Sequence, residues 1–168
     1  MICDCGNHAW APLTRGFVVL VSPEDAHLLS KKWCAVKARG LTHYARRNLP
    51  PTTKGKGTQK RKQETMHRVI LKPGPGYVVD HINMNGLDNR RSNIRLCTEY
   101  QNRLNRPGWR HKKIPLKGVR KQSEHSFAAN IGFNNRLRYL GSFPTAEEAH
   151  AAYLAASIAL HGEFGRSK

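Results

Sequence analysis

Four side chains between residues 80 and 102 have types and spacing that could do chemistry: Asp80, His81, Asn93 and Asn102. Asp80 and His81 are adjacent, Asn93 follows His81 by twelve positions, and Asn102 follows Asn93 by nine. A carboxylate and a carboxamide are oxygen donors of the kind that anchor a hard divalent cation. An imidazole titrates near neutral pH and takes a proton from water. Hydrolysis of a phosphodiester asks for those parts: an anchored cation, a base for water, and charge stabilisation at the leaving oxygen. A lone strand histidine is usually just packed. The four-residue set raises His81 above that expectation.

The elements around the set read as a β-loop-β-α unit. Tyr77 to Ile82 is a strand, Asn83 to Asn89 a Gly/Asn/Asp loop, and Ile94 to Cys97 a second strand. Thr98-Glu99-Tyr100-Gln101 matches a capping box, so a helix carrying Asn102 starts at Thr98 and is stopped near Arg106 by Pro107-Gly108. Neighbours on a strand point to opposite faces, so Asp80 and His81 approach one site only if the strand end kinks. Upstream, Glu64 to Leu71 is a short helix or strand carrying His67, read as a packing or DNA-contact residue.

Flanking regions are of two kinds. Before the unit, Phe17 to Val21 is a buried strand, and Ser22-Pro23 starts a short helix with Ser22 as cap. Trp33 to Lys37 and Leu41 to Arg47 form a hairpin about Arg39-Gly40, and Pro50 to Lys62 is a basic stretch without an apolar residue. After it, three short strands (117–120, 127–131 and 138–140) precede a helix opened by Thr145-Ala146-Glu147-Glu148. That helix has apolar residues at Ala146, Ala149, Tyr153, Ala156 and Leu160 and is closed by Gly162. The fold class is α+β, an extended arrangement of modules.

Charge identifies the partner class. Lys and Arg number 29 against 11 acidic residues, a formal net charge of +18 in 168 residues. The excess is +8 over residues 1–66, +4 over 67–106 and +6 over 107–168, a long footprint suited to double-stranded DNA. No apolar run approaches the roughly 18 residues of a membrane span, so no membrane partner is expected. Four scattered cysteines argue against a disulfide framework and for a reducing cytoplasm. Cys3, Cys5 and His8 resemble the start of a zinc site, but no second ligand pair follows them.

The run Val79-Asp80-His81-Ile82-Asn83, then Asn85-Gly86-Leu87-Asp88-Asn89-Arg90-Arg91-Ser92-Asn93-Ile94-Arg95, then Gln101-Asn102, resembles the HNH nucleases, in particular small bacteriophage homing endonucleases. Met66-His67-Arg68-Val69-Ile70 resembles the segment preceding that motif. The resemblance implies that His81 is the general base and that Asn93 holds the loop and orients it. It implies that Asp80 and Asn102 are ligands of one divalent cation, Mg²⁺ or alternatively Mn²⁺, with Arg90 and Arg91 on the DNA. It also implies a host-cell cytoplasmic location if the protein is phage-encoded.

Residues 117–168 resemble the ethylene-response-factor (apetala-two type) DNA-binding domain at Lys117-Gly118-Val119-Arg120, Phe127 to Ile131, Tyr139 to Phe143, and Thr145 to Phe164. This implies DNA contacts from Lys117, Arg120, Arg136, Arg138 and Tyr139, although Glu124, Gly132 and Leu137 stand where that family carries Trp or Arg. The expected organisation is a basic β-rich DNA-binding region (1–65), an HNH nuclease unit (66–106), a basic linker (107–116) and the DNA-binding domain (117–168). The expected activity is site-specific, metal-dependent DNA cleavage of homing type. One chain holds one candidate set, so a monomer that nicks one strand is expected. A non-catalytic DNA-binding regulator is the alternative, and plasmid cleavage with Mg²⁺ separates the two.

Overall fold

The computed structural model describes residues 1, 3, 6–38, 42–50, 62–105, 114–134 and 136–165. The Arg39-Gly40 turn, Cys5, most of the basic stretch 50–62 and most of the linker lie outside the described residues. Two compact units are present, Met1–Glu99 and Tyr100–Lys168.

In the first unit, β1 (Ala9–Pro12) pairs antiparallel with β2 (Val18–Val21). A 3-10 helix, Pro23–Ser30, follows β2. Ser22 does not cap it by a side-chain bond; its Oγ accepts from the Arg91 backbone N–H at 2.9 Å instead. β3 (Cys34–Lys37) and β4 (His43–Asn48) form the expected hairpin, and β5 (Gln63–Thr65) extends it. Residues 64–71 are both things at once: β5 ends at Thr65 and α1 (Met66–Leu71) begins at the next residue.

β6 (Val78–His81) and β8 (Ile94–Cys97) are the two strands of the motif, paired antiparallel. Between them β7 (Asp88–Asn89) pairs parallel with β2, Leu20 opposite Asp88 and Val21 opposite Asn89. The core joins Ala9, Val19, Val21, Leu28, Trp33 and Ala45 to Met66, Ile70, Leu87 and Ile94. Residues before position 66 and residues of the motif therefore bury one another, and removing this apolar surface from water is what holds the loop ends in place. α2 (Glu99–Leu104) carries Asn102 and begins one residue after Thr98.

In the second unit, β9 (Val119–Ser123), β10 (Ser126–Phe133) and β11 (Arg136–Phe143) form an antiparallel sheet with β10 central. α3 (Ala146–His161) covers one face, burying Ala149 and Tyr153 near Val119 and Ala129. Thr145 caps it as expected, its Oγ1 accepting from the Glu148 N–H at 3.2 Å. Gly118 has φ of 81°, and a Cβ there would lie 2.1 Å from the Tyr153 ring, so only glycine lets that ring close on the strand. Among the described residues, no helix is long and apolar enough to cross a membrane. The whole is a mixed α/β protein with several small sheets and few helices.

Candidate active site

Asp80 and His81 end β6, and both are buried, at 4% and 5% exposure. The strand keeps its alternation, so the two side chains part company. Asp80 stands opposite Arg95 on β8, and its Oδ2 accepts from Arg95 Nε at 3.0 Å and Nη2 at 2.9 Å. His81 instead meets His67 of α1 edge-on, with ring centroids 5.1 Å apart, and the Tyr44 ring of β4 at 5.6 Å. Its Nε2 lies 3.4 Å from Asn89 Oδ1. An amide oxygen only accepts, so this bond has His81 donating from Nε2 and carrying its lone pair on Nδ1.

Burial lowers the His81 pKa below its ordinary value, and Asn89, Asp80 and Asp88 only partly oppose that. His67 is lowered to about 3, first by burial and then by the charges of His81 and Arg68. Its Nε2 is 3.1 Å from Thr65 Oγ1, while its buried Nδ1 has no hydrogen-bond partner, nor does Asn89 Nδ2. Buried polar nitrogens without a partner are uncommon in folded proteins, and these two belong to residues that touch His81.

The loop after His81 braces itself. Asn93, buried, accepts from the Asn83 N–H at 3.0 Å and donates from Nδ2 to the Asp88 carbonyl at 2.7 Å. Asn83 and Asn85 accept from the backbone two residues on, which folds the Asn/Gly run into successive Asx turns. Asp88 takes a fork from Arg90 at 2.8 and 2.7 Å and a bond from Asn83. Burial pushes the Asp88 carboxyl up, but Arg90 and Asn83 outweigh it and hold the group low. Gly86 is needed for a close approach: a Cβ there would sit 2.5 Å from the His43 carbonyl and from the Tyr44 ring.

Several expected DNA contacts turn out to have work inside the protein. The Arg90 guanidinium is bound to Asp88, and that of Arg91 to Asp25 at 2.8 and 2.9 Å, with Glu24 nearby. Lys117 places its ammonium on the Leu104 carbonyl. Arg120 and Tyr139 are exposed and stand opposite Ala128 and Asn130, which alternate with Ala129 of the core, so they project from the helix-free face of their sheet. Arg136 and Arg138, also exposed, stand opposite Phe133 and Ile131, and Arg138 lies over the Phe133 ring at 4.8 Å. Asn102 is half-buried on α2, in the other compact unit from Asp80 and His81.

The sequence reading missed Asn89 and Tyr44 as neighbours of His81 and Arg95 as the partner of Asp80. Arg95 had a signal, since pairing the two predicted strands sets it near Asp80. Tyr44 had none, because it arrives from a different hairpin.

For the cation that the resemblance implies, Asp80 is a buried oxygen donor of the type that an oxygen-preferring ion takes, while the Asn and Asp side chains of the following loop are bonded within the loop. Among the described residues, no three His, Cys, Asp or Glu side chains form a metal-holding group.

Comparison with known proteins finds two similarities. Residues 66–104 match the HNH endonuclease family. A stretch of 86 residues is 40% identical to an uncharacterized HNH endonuclease of Acanthamoeba polyphaga mimivirus, covering 51% of this chain and 44% of that protein. No solved structure matches the chain. The matched stretch spans less than half the length of this viral relative, and residues 66–104 are the part of the chain that is similar to the HNH endonuclease family.

Proposed function

We propose that this protein is a site-specific DNA endonuclease of homing type, dependent on a divalent metal, that hydrolyses phosphodiester bonds and nicks one strand. The observation that carries this reading is His81, buried at the end of β6 with Nε2 turned to Asn89, inside the segment that matches the HNH endonucleases. With Nε2 donating, Nδ1 takes the proton from the attacking water. A depressed pKa keeps that nitrogen unprotonated at neutral pH. Asn93 acts at one remove, fixing the loop that carries Asn89. A divalent cation, Mg²⁺ or Mn²⁺, supplies charge stabilisation at the leaving oxygen when bound. Asp80 is the ligand offered by the first unit; the role of Asn102 as second ligand rests on the sequence run alone.

Grip on double-stranded DNA is assigned to the basic surface, including residues of the region 1–65, and to Arg120, Arg136, Arg138 and Tyr139 of the second unit. Lys117, Arg90 and Arg91 already hold the internal bonds described above. One site per chain suits a monomer and a nick, since the two strands of a duplex run antiparallel.

The test is conversion of supercoiled plasmid bearing the target to open circle in Mg²⁺, against a chelator control. His81→Ala should slow it about 10²–10⁴-fold while leaving DNA affinity within a few-fold, because a general base contributes to rate and little to binding. A His81→Ala protein that nicks at the wild-type rate would remove His81 from the chemistry. Linear product formed directly, with rate rising as the square of protein concentration, would replace the monomer by a pair.

A further inference from the structure

The Asp80–Arg95 pair is nearly closed to solvent, with side-chain exposures of 5% and 13%. Nε and Nη2 of Arg95 both donate to the Asp80 oxygen Oδ2. The two residues are direct partners in the β6–β8 ladder, so the backbone holds them face to face and neither has to reach. A carboxylate forked by a guanidinium is already neutralised, and it presents little net negative charge to a second cation. A divalent ion brought to Asp80 also meets the positive charge of Arg95 at close range, in surroundings that screen it weakly.

We infer that Arg95 competes with the divalent cation for Asp80, so that cation binding is coupled to the arrival of DNA. Arginine forks onto phosphate oxygens as readily as onto carboxylates. A backbone phosphate at the site therefore gives Arg95 a second anion to hold, and Asp80 is released to the metal. Without DNA the carboxylate is satisfied within the protein, and the cation is bound weakly. The inference rests on the reading of Asp80 as a metal ligand.

The experiment measures Mn²⁺ binding to the full chain by calorimetry, together with the Mn²⁺-induced rise in Tm, for wild type, Arg95→Met and Asp80→Asn. Each protein is examined with and without a short DNA duplex. Arg95→Met without DNA should bind Mn²⁺ at least about ten-fold more tightly than wild type, the effect that one nearby opposite charge has on a carboxylate's affinity for protons. Its Tm should rise more on adding Mn²⁺ than that of wild type, because the ion replaces the lost counter-charge. The duplex should tighten Mn²⁺ binding in wild type and change it much less in Arg95→Met. If Arg95→Met does not fold without metal, Arg95→Gln is compared in the same way, since it keeps a donor to Asp80 without the charge. With the duplex present, Mn²⁺ bound by Asp80→Asn as tightly as by wild type would remove Asp80 from the ligands and overturn the underlying reading. Weakened binding in Asp80→Asn with no gain in either Arg95 variant would overturn the role of Arg95 alone.

Discussion

His67 stands edge-on to His81 at 89°, and Tyr44 completes the wall with its ring centroid 5.2 Å from His67 and 5.6 Å from His81. Two rings, from β4 and α1, thus flank the imidazole that ends β6. An imidazole held this way has few rotamers to choose from, which is what the proposed role as a proton acceptor requires.

His67→Phe tests whether that wall works by shape. Phenylalanine keeps an edge-on ring and removes the buried Nδ1 that lacks a partner, at the loss of the Thr65 bond. An unsatisfied buried polar group costs about 1–3 kcal/mol and an ordinary hydrogen bond contributes about 1, so the variant should be modestly more stable at neutral pH. Nicking should stay within a few-fold of wild type, whereas His67→Ala should impair it. Loss of nicking in His67→Phe with an unchanged or raised Tm would give His67 a chemical role.

The same residue makes stability depend on pH. Its pKa is about 3 in the folded protein against 6.5 for an ordinary histidine, so the unfolded chain binds the extra proton between those values. Stability contributed by neutral His67 is therefore complete above pH 6.5 and lost as pH falls, with a slope of at most about 1.4 kcal/mol per pH unit. Melting curves between pH 7 and 5 should show wild type losing Tm faster than His67→Phe. Parallel curves for the two proteins would refute it.

Gly86→Ala should be costly although it adds one methyl group. The new Cβ meets the His43 carbonyl and the Tyr44 ring at 2.5 Å, and backbone cannot step aside cheaply. Overpacking of this kind costs about 1–3 kcal/mol, and here it also pushes on a ring of the His81 wall. A lower Tm together with slower nicking is expected. Wild-type values of both would show that the loop has slack.

Asn93→Ala strands the Asn83 N–H and the Asp88 carbonyl, and leaving such groups unpaired costs about 1–3 kcal/mol each. Because Asn93 acts through the loop, kcat should fall while KM for DNA changes little. Asn89→Leu should give a similar kcat defect by freeing the His81 ring, with a smaller loss of Tm. An Asn93→Ala protein of unchanged Tm would show that the loop is held by its Asx turns and Arg90 instead.

What could be read from the chain was local. Strands over 18–21, 78–81 and 94–97 carry their apolar pattern within a few residues, and Thr145 caps α3 because its partner Glu148 is one turn away. Ser22 has an equally good local pattern, yet Arg91 claims its hydroxyl from 69 residues away. The two residues of β7 look like loop because their partners are Leu20 and Val21. The Asp80–His81–Asn93 motif was legible as types and spacing. Tyr44 and the Asp25–Arg91 tie were not, since each is created by packing between distant segments.

The parallel pairing of β2 with β7 also bears on how the chain folds. Val19 and Val21 are wholly buried in the finished protein, but their strand waits for residues 88 and 89 before its second edge is covered. Contacts of such long sequence separation form late and slowly, and an apolar strand with an open edge is prone to pair with the wrong chain meanwhile. The pairing also means that a fragment cut down to residues 66–104 starts without β2, so transplanting the motif alone should yield an aggregating peptide and not a small nuclease.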